Sequence, residues 1–150
     1  VTKKAKKKVC NFYLSLRYVY ITKANIMKNI IANLLGGINY FGSSSRNSPE
    51  FNKFFSAFKK VMKKELAGVG ATDIEFSKGH FYLSGFFRIG EQLMYFSISD
   101  VRHGFGFNRN GQPEMLVRTA QHNKDYTGGA NNYVVIENGM AENIKRKFSL

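Results

Sequence analysis

The chain has a single cysteine, Cys10, and no tryptophan. One thiol cannot close an internal disulfide, which excludes a secreted disulfide-stapled scaffold and points to a reducing, cytoplasmic setting. No C-x-x-C pair or Cys/His zinc spacing occurs, and His80, His103 and His122 show no helical ligand spacing, so no metal and no cofactor is expected. No apolar run approaches the ~18 residues of a membrane span, so no membrane partner is expected. Acidic residues are scarce, 10 against 23 Lys+Arg. No pair of carboxylates suited to two-metal chemistry stands out. A G-K-[ST] phosphate loop and a G-x-S-x-G nucleophile elbow are both missing.

What remains is apolar and basic. Hydrophobic residues make up 43% of the 150 positions, with 14 Phe and 8 Tyr, enough to bury a core and too many for a disordered chain. The formal net charge of +13 favours polyanionic partners. It is unevenly placed: residues 1–28 hold Lys3, Lys4, Lys6, Lys7, Lys8, Arg17, Lys23, Lys28 and no acid. Residue 1 is Val and the first methionine is Met27. Residues 1–26 therefore read either as a basic arm or as an upstream extension outside the protein proper, and 27–150 as one domain.

The spacing of apolar residues predicts a short helix over Asn25–Leu35, stopped at Gly36-Gly37. A stronger helix begins at Ser48, a side-chain N-cap followed by Pro49 at the first helical position and Glu50 in the first turn. Phe51, Phe54, Phe55, Phe58, Val61, Met62 and Leu66 fall on its inner face, with Lys53, Lys59, Lys60, Lys63 and Lys64 mostly outside, and Gly68 is expected to close it. Residues 12–22 fit a strand or an apolar helix equally. Thr72–Lys78 alternates as a strand does, His80–Arg88 and Gln92–Ser99 are aromatic-rich runs joined by Ile89-Gly90-Glu91 as a hairpin, and Glu114–Ala120 and Tyr133–Glu137 read as two further strands. Asn138–Phe148 reads as a final helix with Lys145, Arg146 and Lys147 at its C-terminal end. The expected fold is α+β: an antiparallel meander of four to five strands with helices packed on one face.

Chemistry concentrates in two stretches that follow strands. In 99–111, Arg102 and Arg109 flank Gly104-Phe105-Gly106-Phe107, where exposed rings beside arginines would suit base stacking, or the glycines tuck the rings into the core. Asp100 with Arg102 fits a cross-strand ion pair better than a catalytic dyad. In 118–133, Arg118, His122 and Lys124 suit a phosphate, Gly128-Gly129 could form an anion nest, and His122 with Tyr126 are the candidates for proton transfer. The plainer reading of that stretch is a long polar hairpin whose Asp and Gly serve its turns.

The run Met115-Leu116-Val117-Arg118-Thr119-Ala120 leading to Lys124-Asp125-Tyr126-Thr127-Gly128-Gly129 resembles a family of small proteins from phages and conjugative elements with no assigned activity. The likeness extends loosely back to Phe96 and excludes Val1–Ile26. It implies a mobile-element setting and no mechanism. The leading expectation is a non-enzymatic nucleic-acid-binding accessory protein. It would hold DNA or RNA backbone through Lys53, Lys60, Lys64, Arg102, Arg109, Arg118 and Lys124. Two alternatives stand beside it. One is an anti-restriction or anti-CRISPR inhibitor that binds a host protein. The other is a small nuclease or RNase-type toxin using His122, Arg118, Lys124 and Tyr126. A contiguous basic face, a neutral apolar patch, or a concave pocket holding His122 would separate the three.

Overall fold

The computed structural model describes residues 26, 28, 30–38, 47–78, 83–98 and 106–150. The lysine-rich arm, the 12–22 segment, the candidate Arg102, the Asp100–Arg102 pair, Phe105, His80 and His103 lie outside the described residues. Helix α1 runs through 30–36, with Ile26 and Lys28 also helical. Then come α2 (Pro49–Gly68), β1 (Thr72–Ser77), β2 (Leu83–Ile89), β3 (Gln92–Ile98), β4 (Glu114–Ala120), β5 (Asn132–Val135) and α3 (Met140–Phe148). The five strands form one sheet in chain order, every neighbouring pair antiparallel. The α+β meander expected from the sequence is the fold. No described helix is long and apolar enough to cross a membrane.

Helix α2 starts where the cap chemistry places it. Ser48 is extended, and its Oγ accepts the Phe51 N–H at 3.1 Å. It ends where expected, with Gly68 its last helical residue. Beyond it Gly70 takes the left-handed conformation (φ 72), its N–H bonds to Ala67 O, and Ala71 N–H reaches back to Leu66 O. That is the Schellman pattern, whose left-handed position favours a residue without Cβ.

Alternation in the strands sends Leu83, Phe87, Met94, Phe96, Met115 and Val117 to the face that the helices cover, where they join Phe54, Phe58, Met62, Leu66 and Ile144 in one core. Phe58 meets Phe96 at 6.0 Å between ring centroids, and Phe76 of β1 meets Phe96 edge-on at 5.6 Å. Gly85 makes room for this. It pairs with both Phe76 and Phe96, and a Cβ there would collide with the Glu75 carbonyl oxygen and the Phe96 ring. Phe55 is not fully interior: it is half-buried at the margin, where Lys59 and Lys78 lie over its ring. The sequence pattern put it on the same stripe as Phe58. The edge of the helix–sheet seam demotes it.

Helix α3 has no side-chain cap of its own, since Gly139 is at its N-cap. The Glu65 carboxylate of α2 supplies one, accepting the Gly139 N–H at 3.0 Å and the Ala141 N–H at 3.4 Å. A carboxylate is favoured there by the helix dipole. On the other side of the layer, Lys28 pairs with Glu137 at 3.4 Å, tying the first helix to the link before α3.

Phe58→Ala should destabilise by about 3–5 kcal/mol, as deletions of buried Phe do. Phe55→Ala should cost clearly less, and Lys60→Ala should stay within about 0.5 kcal/mol. Denaturant titration checks the order; equal costs for Phe55 and Phe58 would place the seam wrongly. Glu65→Ala should remove about 1 kcal/mol by uncapping α3. Amide exchange should show the loss concentrated at residues 139–142.

Candidate functional site

The face of the sheet turned away from the helices is the unusual one. The same alternation that sends Phe96 inward sends Tyr95 and Ser97 of β3 to this side, with Ser84 and Phe86 from β2 and Leu116 and Arg118 from β4. Register places Phe86 opposite Tyr95 and Tyr95 opposite Arg118. Phe86, Leu93, Tyr95 and Ala120 form a second, smaller apolar cluster.

The loop 121–131 folds over this face, held by Asp125. Its carboxylate accepts the Gln121 N–H at 2.9 Å and the Gly128 N–H at 2.7 Å. A side chain at Gly128 would strike that carboxylate, and Gly129 (φ 74) packs against Thr119. Asn123 reaches across to Glu75 on the edge strand at 3.0 Å. The result seats the Tyr126 ring against Phe86 (5.8 Å) and edge-on to Tyr95 (5.9 Å, 78°).

Between loop and sheet is a cleft of about 430 Å³ whose walls include Tyr95, Ser97, Leu116, Arg118, Tyr126 and Thr127. Arg118 is only 6% exposed. Its guanidinium carbon sits 4.6 Å from the Tyr95 ring centroid, and its Nε finds no hydrogen-bond partner. Neither ion pair among the described residues includes it. Burial pushes the Tyr95 phenol above its ordinary range, opposed by hydrogen bonding with the Ser97 and Ser84 hydroxyls and by the charge and hydrogen bonding of the Arg118 guanidinium. Ser84, buried on β2, belongs by its place in the strand to this same face. The arrangement can receive an oxyanion against a fixed cation.

The remaining candidates are dispersed. His122 is exposed outside the cleft walls, its Nδ1 accepting the Lys124 backbone N–H at 3.2 Å. Tyr126, four residues on, points its ring into the aromatic cluster instead. Lys124 is exposed on the loop, and Arg109 is exposed on a turn at the other end of β4, whose seven residues span about 23 Å. Lys53, Lys60 and Lys64 lie on the outer side of α2, across the whole sheet from Arg118. Two readings change. The Gly128 N–H expected in an anion nest is already engaged by Asp125. Phe107, expected as a stacking ring or a core ring, is half-buried against the main core. Tyr95 and Ser97 escaped notice in the sequence because an aromatic-rich strand shows no sign of which alternate belongs to the core.

Comparison with protein-family models, curated proteins and solved structures returns no match.

The backbone N–H groups of Gln121 and Gly128 hold the Asp125 carboxyl below its ordinary value of 3.8. A depressed folded value means the loop's stabilisation is complete above the unfolded pKa and is lost as pH falls through the folded one. Protection factors of the Gln121 and Gly128 amides, which remove the intrinsic pH dependence of exchange, should therefore hold through mildly acidic pH and fall only below the ordinary aspartate range. Asp125→Asn should abolish that pH step; a step that persists in the variant would assign it to another carboxylate.

Proposed function

We propose that the protein is a non-enzymatic nucleic-acid-binding accessory protein of a phage or other mobile element, which grips the phosphate backbone along the outer ridge of α2. One observation carries this reading. At 100° per residue, Lys53, Lys60 and Lys64 fall within about 40° of one another, on a line about 16 Å long. All three are exposed, opposite the Phe51–Phe54–Phe58–Met62–Leu66 stripe, and none is in either ion pair of the described residues. Lys63 is exposed beside them. Glu65, next to Lys64 in sequence, is turned to the α3 N-terminus, and Glu50 in the first turn is the acid on the Lys53 side of the helix. Exposed Arg146 and Lys147 on α3, which packs against α2, extend the positive side of the helical layer. Such a surface contacts phosphates without reading bases, so binding should be general and salt-sensitive. The mobile-element setting is supported by the motif resemblance at Met115–Ala120 and Lys124–Gly129 alone.

Arg118 leaves the set of backbone contacts because it is buried. His122 stands outside the cleft walls, which gives a nuclease reading less support.

Fluorescence anisotropy with nonspecific DNA and RNA tests the reading. The log–log slope of affinity against salt should be about 0.7–0.9 per phosphate neutralised. Combined Lys53→Glu, Lys60→Glu and Lys64→Glu should reduce the slope by roughly two to three and weaken all sequences alike. His122→Ala should leave binding unchanged. Absence of binding at about 50 mM salt would remove this function and leave a protein-directed inhibitor in its place.

A further inference from the structure

A guanidinium keeps its charge at every pH the folded protein meets. Taking it out of water costs several kcal/mol unless an opposite charge and hydrogen bonds replace the lost hydration. Arg118 has been taken out of water, and the described residues supply no carboxylate for it. The Tyr95 ring at 4.6 Å offsets part of the cost. It leaves the Nε–H without an acceptor. The chain has further invested an Asp125-tied loop and a left-handed Gly129 in roofing this charge with Tyr126 and Thr127. A strand needing only an interior residue at this position would be served by Leu or Met at no electrostatic cost.

We infer that the cleft between the outer sheet face and the 121–131 loop is a binding site for a small molecule bearing one oxyanion, a carboxylate or a phosphate monoester, held by Arg118. The guanidinium fork suits either group, because both present two oxygens in a plane. Ser97 and Thr127 offer hydroxyls on the same walls, and Leu116 and the tyrosine rings offer apolar surface for the ligand's body. The volume of about 430 Å³ lies in the range of small-ligand sites, about 300–1,000 Å³. The site is independent of the α2 ridge, from which the sheet separates it.

The test follows the Arg118 Nε–H resonance of the full chain by NMR during titration with three probes: inorganic phosphate, adenosine 5′-monophosphate and benzoate. At least one should move that resonance and the Thr127 and Gly129 amides saturably, at one equivalent, with half-saturation below about 1 mM. Response to the phosphate compounds alone, or to benzoate alone, identifies the source of the oxyanion. Arg118→Met should abolish the response, and Arg118→Lys, which keeps the charge and loses the fork, should weaken it about tenfold to a hundredfold. The triple Lys53, Lys60, Lys64→Glu variant should titrate like the parent chain even where it no longer binds DNA. No movement with any probe overturns the site, and that result needs no variant to fold. A response that survives Arg118→Met, or that disappears with the α2 lysines, overturns it as well.

Discussion

The slot at Gly85 governs the rest of the structure. With no Cβ on β2, the Phe96 ring of β3 lies flat against the neighbouring strand and rises to meet Phe58 of α2 and Phe76 of β1. Only one register satisfies this. A slip by one residue would carry Phe96 to the far face and offer Tyr95 to the helices. Once Phe96 is inside, Tyr95 must be outside, Phe86 must stand beside it, and Arg118 must face it from β4. The apolar core and the charged cleft are thus two consequences of one packing choice, on opposite sides of the same backbone.

The two faces then treat positive charge in contrary ways. On the helical side, lysines stand in solvent on the ridge of α2, where each is weakly bound to its surroundings and available to a polyanion. On the other side, one arginine is enclosed in a low-dielectric setting, where a single interaction with an anion is far stronger. The solvated lysines and the buried arginine thus lie on opposite sides of the sheet. The sheet keeps them apart, which is why the basic residues cannot be summed into one surface.

The loop that closes the cleft is held mainly by local chemistry. Asp125 takes backbone N–H groups on either side of itself, and glycines at 128 and 129 let the chain pass where a side chain would collide. A longer reach, Asn123 to Glu75, ties the loop to the far edge strand. Gly128 and Gly129, which the sequence offered as an anion nest, therefore shape the loop, and Arg118 lies on the strand below it.

Local signals in the sequence determined the elements. Ser48-Pro49 set the start of α2, Gly90 set the hairpin, and the run at Glu114–Ala120 matches β4 from end to end. These features depend on neighbours a few residues away, through capping, turn geometry and alternation, so they are legible in one dimension. The chain also carried its net charge and the lysine periodicity of α2 in plain view. What the sequence could not decide was depth. Phe55 and Phe58 look alike, as do Arg109 and Arg118, yet one of each pair is interior and the other is not. Burial depends on which strand lies beside which and on what a distant loop covers. Glu65 at the foot of α3 and Tyr126 over Tyr95 are contacts of that kind. Only the closing of the tertiary structure brings such partners together, and with them the enclosed charge of Arg118.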